Sequence, residues 1–162
     1  MSIHIRPLDP SEWPAFKTFR LGALKAAPGM FATSYDEAAA RSPEAWQANI
    51  AGPCHQVFGL FDGAHLIGIT GVFGRADTAF LVMSFILPAY RKRGLSAMLY
   101  QARLDWIRAR GKFKRAVTTI RASNEVSQRV CRAFGFTCIG REARTWPDGS
   151  TEDELIVELR MD

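Results

Sequence analysis

A chain of 162 residues suits one domain, here residues 1–162, and is too short for two of ordinary size. With 48% hydrophobic and 23% charged residues it has enough apolar surface to offset the entropy of ordering, which excludes wholesale disorder. The net charge of +5 suits an anionic ligand (nucleic acid, a phosphorylated cofactor or an acidic surface) and equally suits a solvated face with no partner.

The longest apolar run, Ala79 to Pro88, is interrupted by Ser84 and falls short of the roughly 20 apolar residues of a membrane span. The opening MSIHIRPLDP has no basic flank followed by a signal-type apolar stretch. Cys54, Cys131 and Cys138 are odd in number and show no CxxC spacing, which favours free thiols in a reducing compartment. A cytoplasmic location is the expectation.

In chain order, a short strand is expected around Ile3 and Ile5. Asp9-Pro10-Ser11-Glu12 then reads as a helix start, with Asp9 as N-cap, Pro10 as first helical residue and Glu12 as capping-box partner. Trp13, Phe16, Phe19 and Leu24 give that helix an apolar side, and Pro28-Gly29 should end it. Ser42-Pro43-Glu44 starts a second, short helix carrying Trp46 and Ile50. Gln56–Phe61 and Leu66–Phe73 read as strands joined across Asp62-Gly63. Ala79–Leu87 is nearly continuous apolar, the pattern of a strand buried on both faces.

Pro88 ends that strand, and Leu95, Met98, Leu99, Ala102 and Trp106 at helical spacing predict a helix from about Gly94 to Arg110, stopped by Gly111. Ala116–Ile120 is a further strand. Asn124–Phe134 is a helix with Val126, Val130 and Phe134 on one side. Phe136–Trp146 and Glu152–Leu159 are strands around Pro147-Asp148-Gly149. The order predicts an α/β (α+β) fold, a mixed sheet of about six to seven strands flanked by about four helices.

The segment Pro88-Ala89-Tyr90-Arg91-Lys92-Arg93-Gly94-Leu95-Ser96 puts three cations and a glycine at a helix N-terminus. There the first amides lack partners and the helix dipole adds partial positive charge. Gly94 lets an anion approach the backbone, and Ser96 is too small to block it, so the segment is a candidate phosphate cradle. A basic loop that merely starts a surface helix would read the same way. Neither a P-loop nor a GxGxxG fingerprint occurs.

Arg91-x-x-Gly94-x-Ser96 resembles the Q/R-x-x-G-x-G/A signature of the GNAT family of N-acetyltransferases, with Ser in the last place. A buried strand precedes it, Pro88-x-Tyr90 matches a frequent Pro-x-Tyr, and a strand and Asn124 follow at the expected distance. Asn124-Glu125-Val126-Ser127 to Phe134-Gly135-Phe136 is similar to the family's N-x-x-A…L-G-F helix and strand start. The ordered set spans 79–136.

The resemblance implies a splayed sheet that holds acetyl-CoA as acyl donor. It implies that the pyrophosphate sits on the amides of Arg93, Gly94, Leu95, Ser96 and Ala97, beside Arg91 and Lys92, and that the pantetheine arm pairs with the backbone of Phe85, Ile86 and Leu87. A strand amide would polarise the thioester carbonyl, and Asn124 would bond the arm as well as cap its helix. The implied reaction is N-acetylation of a primary amine, on a small molecule or a peptide, by direct attack on the thioester. No nucleic-acid or membrane partner is implied, and dimers are common in the family.

Two departures stand out. The family's proton-donating tyrosine, seven residues after the asparagine, is Cys131 here, which reads either as a thiol acid or as a small buried hydrophobe. The long strand AFLVMSFIL carries no carboxylate base, so Glu37, Asp153 and Glu154 become the candidates, with Glu37 and Asp153 preferred. Tyr35, Trp146 and Arg20 are candidates to shape the acceptor pocket. The basic stretch Arg108, Arg110, Lys112, Lys114 and Arg115 reads as a solvated helix end, or as a contact for the 3′-phosphate of CoA. His4, His55 and His65 lack metal-ligand spacing. The rival readings are a non-catalytic acyl-CoA-binding module and a nucleic-acid binder, the latter without aromatic residues interleaved with its cations.

Overall fold

The computed structural model describes residues 2–28, 31 and 33–162. Strand β1 (Ile3–Pro7) leads into the expected capping box. Asp9 Oδ1 accepts from the Ser11 amide at 2.9 Å, and Glu12 accepts from the Asp9 amide at 2.7 Å. Residues Pro10–Glu12 form a 3-10 turn that runs directly into α1 (Trp13–Ala26). The helix ends just short of Pro28; Gly29, the other half of the expected stop, lies outside the described residues.

A short helix α2 (Tyr35–Ala39) follows, which the sequence reading did not contain. Its start signal was present: Ser34 Oγ accepts from the Glu37 amide at 3.2 Å. Five residues are too few for apolar periodicity to reinforce such a signal. In α3 (Pro43–Ile50) Ser42 caps the start as expected, and Trp46 packs edge-on against Phe16 with ring centroids 5.5 Å apart.

The remaining elements are β2 (Ala51–Gly52), β3 (His55–Asp62), β4 (His65–Arg75), β5 (Thr78–Ile86), α4 (Ser96–Arg110), β6 (Arg115–Arg121), α5 (Glu125–Ala133), β7 (Thr137–Thr145) and β8 (Thr151–Arg160). The described residues form eight strands and five helices; β2 and α2 are the additions to the expected count. The strand order is β1-β3-β4-β5-β6-β8-β7, with β2 paired to β3. All pairs are antiparallel except β5 with β6. Helices α1 and α3 pack with Val57, Ile69 and Phe85; α4 and α5 contribute Leu104, Ile107 and Cys131 to a second cluster with Val72, Leu81 and Ala116. Among the described residues no helix is long and apolar enough to cross a membrane, and all three cysteines are free.

The parallel pairing of β5 with β6 lasts for three residue pairs, Thr78–Arg115, Ala79–Ala116 and Phe80–Val117. Its last link is a side chain: Thr118 Oγ1 donates to the Leu81 carbonyl at 2.9 Å. Beyond that point β5 stays with β4 as far as Ile86, β6 stays with β8 as far as Arg121, and the sheet forks. The fork corrects one expectation. The middle of β5 is not buried on both faces: Val82 is 37% exposed and Ser84 is also open, because no strand covers that edge. Two residues, Met83 and Ser84, oppose Thr70 alone, and Met83 takes φ 64°, which marks a bulge at the fork.

Thr118→Val keeps the side-chain shape and removes the clasp. It is expected to lower stability by ~1 kcal/mol, read as a lower urea midpoint at unchanged slope. An unchanged midpoint would mean that backbone pairing alone sets where the strands part.

Candidate active site

The turn after β5 is built to face an anion. Pro88–Tyr90 forms a 3-10 turn, pinned by Tyr90, whose hydroxyl donates to Asp62 Oδ2 at 2.8 Å. Lys92 and Gly94 both take left-handed backbone (φ 61° and 74°), with Arg93 between them. Left-handed residues at this spacing turn neighbouring amides to one side, forming a nest. Helix α4 starts at Ser96 rather than at the expected Gly94, and no side chain caps it. Its first amides are therefore left to an outside acceptor. A Cβ at Gly94 would meet nothing within 4 Å, so the glycine is there for its backbone angle and the space above it is open.

The free edge of β5 continues from this nest. The Leu87 amide donates to Ile67 on β4 at 2.9 Å. By alternation, the Ile86 backbone points the other way, into the fork. Its carbonyl accepts from Arg91 Nε at 2.9 Å, and the Arg91 guanidinium lies 5.0 Å from the Phe85 ring centre. Across the fork, Asn124 Oδ1 accepts from the Ser127 amide at 3.2 Å, the capping role read from the sequence.

These elements enclose a slot of about 1490 Å³ that passes through the fork. The slot reaches from the nest on the α4 and α5 side to Arg20, Phe31 and Arg41 on the α1–α3 side. It is lined by Phe85, Ile86, Arg91, Lys92, Gly94, Leu95, Ser96, Ala97 and Asn124; of the residues expected to hold the donor, Leu87 and Arg93 lie off its wall. Val126, Val130 and Phe134, expected on one side of α5, line the slot; Val126 is 59% exposed, and Phe134 also packs against the core cluster. Seven Arg and Lys side chains line it, against a single carboxylate, Glu154, among the described residues.

The candidate catalytic residues fall unevenly. Cys131 is 1% exposed and lies behind the slot wall. Its Sγ is 2.8 Å from the hydroxyl of Tyr100, which does line the slot. Burial raises the Cys131 thiol above its ordinary value, with Tyr100 and Arg103 pulling it back in part. Burial, with the nearby Cys131, pushes the Tyr100 hydroxyl well above the usual tyrosine range. Both groups keep their protons at neutral pH.

Glu37 is exposed on α2 and is absent from the slot wall; its backbone amide serves the cap. Asp153 is held by Arg141 Nε at 3.0 Å and is also absent from the slot wall. Its neighbour Glu154, on the opposite face of β8, turns to the slot and accepts from Arg144 Nη1 at 2.9 Å. Trp146 lines the slot, whereas Tyr35 does not. The basic stretch 108–115 begins at the far end of α4, about 20 Å from the nest at 1.5 Å per residue. There Arg110 stacks on Trp106 and Arg115 pairs with Glu158.

Sequence reading missed Tyr100 and Arg103. Arg103 is 2% exposed, donates from Nε to the Leu99 carbonyl at 3.0 Å, and lies 4.7 Å from the Tyr100 ring centre. One of its terminal nitrogens has no hydrogen-bond partner among the described residues, and burial lowers its pKa to about 10, so it stays cationic at neutral pH. The signal was a cation midway between Leu99 and Ile107, four residues from each, on the apolar stripe of α4. The contact between Tyr100 and Cys131 spans 31 positions and left no local trace.

Residues 22–136 match the family model described as "Acetyltransferase (GNAT) family". A comparison with curated protein sequences gives no match. Among solved structures, a GNAT-family acetyltransferase from Streptococcus pneumoniae superposes with a TM-score of 0.85 at 16% identity, covering 99% of this chain and 100% of that one. The ribosomal-protein-S18-alanine N-acetyltransferase of Escherichia coli gives 0.73 at 20% identity, with 98% and 94% covered. The PaiA N-acetyltransferase of Thermoplasma acidophilum, solved with coenzyme A, gives 0.71 at 18% identity, with 99% and 100% covered. At these identities the likeness is one of fold, and the family model carries the assignment: the chain belongs to the acetyltransferase (GNAT) family, N-acetyltransferases that take their acetyl group from acetyl-CoA.

Proposed function

We propose that this protein acetylates a primary amine by direct attack of the amine nitrogen on the thioester, with no covalent enzyme intermediate. The observation that carries the reading is the continuity of three features at one place: the nest at Lys92–Gly94, the uncapped start of α4, and the unpaired edge of β5. The first two suit a diphosphate, and the third suits an amide-bearing arm laid alongside as an extra strand.

Acetyl-CoA, when bound, supplies the activated acyl carbon. The chain's own groups do the rest. The Ile86 backbone, turned into the fork, is the pairing edge for the arm, and Arg91 must give up its bond to the Ile86 carbonyl for that carbonyl to take part. The bulge at Met83 and Ser84 leaves β5 with one residue that has no ladder partner, so an amide there is free to polarise a carbonyl oxygen. Glu154 is the carboxylate on the slot wall, placed to take the amine's proton directly or through water. Tyr100 holds its proton throughout the working range and is a permanent donor towards the departing sulfur, with Cys131 packed behind it. Proximity and oriented dipoles carry most of the rate enhancement.

Gly94→Asp places a carboxylate where the diphosphate would sit, at a backbone angle that disfavours side chains. Calorimetry should show CoA binding weakened by about tenfold or more, and unchanged affinity would remove the cradle from the reading. In amide exchange, saturation with CoA should slow Ile86 relative to the free protein, whereas a fast Ile86 amide in the complex would mean that the arm lies elsewhere. Tyr100→Phe should reduce kcat by about tenfold or more while leaving the KM for acetyl-CoA nearly unchanged, whereas Cys131→Ala should change kcat by much less. The reverse ranking would make Cys131 the donor. Tight CoA binding without turnover on any amine would favour a binding module.

A further inference from the structure

The α1–α3 end of the slot holds a second cationic site, distinct from the nest. Arg20, on α1, is 6% exposed, and its Nη1 meets no hydrogen-bond partner among the described residues. The guanidinium lies over the Phe31 ring at 4.7 Å, and Phe31 in turn lies 6.0 Å from Phe85 of β5, beside the fork. Arg41 sits close enough for its charge to act on Arg20 and is itself stacked 5.5 Å over Trp46. Among the described residues no carboxylate is paired with either arginine, although both line the slot.

Two like charges on aromatic faces, one of them enclosed, are unfavourable without an anion between them. Removing a guanidinium from water is costly unless a partner compensates it. Burial and Arg41 together lower the Arg20 pKa to about 10, so it remains a cation at neutral pH. The planar fork of Arg20 matches a carboxylate in bidentate geometry. The site lies at the α1–α3 end of the slot, across the fork from the nest.

Resting on the N-acetyltransferase reading above, we propose that Arg20 and Arg41 bind the carboxylate of the acceptor, so that the substrate class is a small amino carboxylate whose amine points to the fork. The enclosure of Arg20 favours a small molecule, because the anion it takes must be enclosed with it. Phe31 forms the floor under Arg20 and sets how far the carboxylate stands from the fork.

The test pairs amines that differ only in the anion. Free α-, β- and ω-amino acids are compared with their carboxamides as acceptors. The N-acetyl derivatives of both series are titrated by calorimetry into CoA-saturated protein. At least one free acid should exceed its amide by about tenfold or more in kcat/KM, and its N-acetyl derivative should bind tighter by a similar factor. In Arg20→Met, which keeps the length and apolar stem, both ratios should fall towards one. The melting temperature should not drop, since an unpaired buried charge has been removed. Arg41→Gln, at the half-buried partner, should lower the same ratios in part. Equal handling of acid and amide, a preference that survives Arg20→Met and Arg41→Gln, no binding of either series, or acetylation confined to peptides would each overturn the proposal. CoA binding in the same cell separates the two readings: if it persists under any of those results, only the acceptor assignment falls, and if it is absent, both fall.

Discussion

The structure turns on the short life of one parallel strand pair. Strands β5 and β6 share three residue pairs and then diverge, with the Thr118 hydroxyl on the Leu81 carbonyl as the last link. Parallel strands need a crossover, and here the crossover is α4, which starts just past the C-terminal end of β5. The unpaired edge of β5 and the positive end of α4 therefore open into the same space. Ligands in open α/β sheets gather at this kind of junction because strand edges and helix N-termini both leave backbone groups unsatisfied there.

The fork also explains where the apolar residues went. A fully paired sheet would bury the middle of β5 and the Val126–Phe134 stripe of α5. The gap instead turns both into slot wall, so an apolar pattern that normally signals core here signals a ligand surface. The cations follow the same geometry. Arg103 and Arg20 are both buried beside the slot, each with a terminal nitrogen that meets no acceptor among the described residues.

Which of the candidate side chains meet the slot depends on sequence separations of one residue or of thirty. Asp153 and Glu154 are chemically alike and adjacent, yet strand alternation sends one to Arg141 and the other to the slot. Cys131 lies behind the slot wall, and the residue of the Cys131–Tyr100 pair that lines the slot is Tyr100 on α4.

Sequence alone determined whatever local chemistry decides. The caps at Asp9, Ser42 and Asn124 and the stop at Gly111 each depend on a few consecutive residues, and all are found where the pattern put them. The strand order of types was legible for the same reason, since hydrophobic period is a local property. Tertiary structure alone decided which face of β8 meets the slot, that α5 lines a cavity, and that Arg20 and Arg103 are enclosed with no carboxylate partner among the described residues. Those outcomes depend on where two strands cease to pair, a choice made by contacts across the sheet that no single stretch of chain encodes.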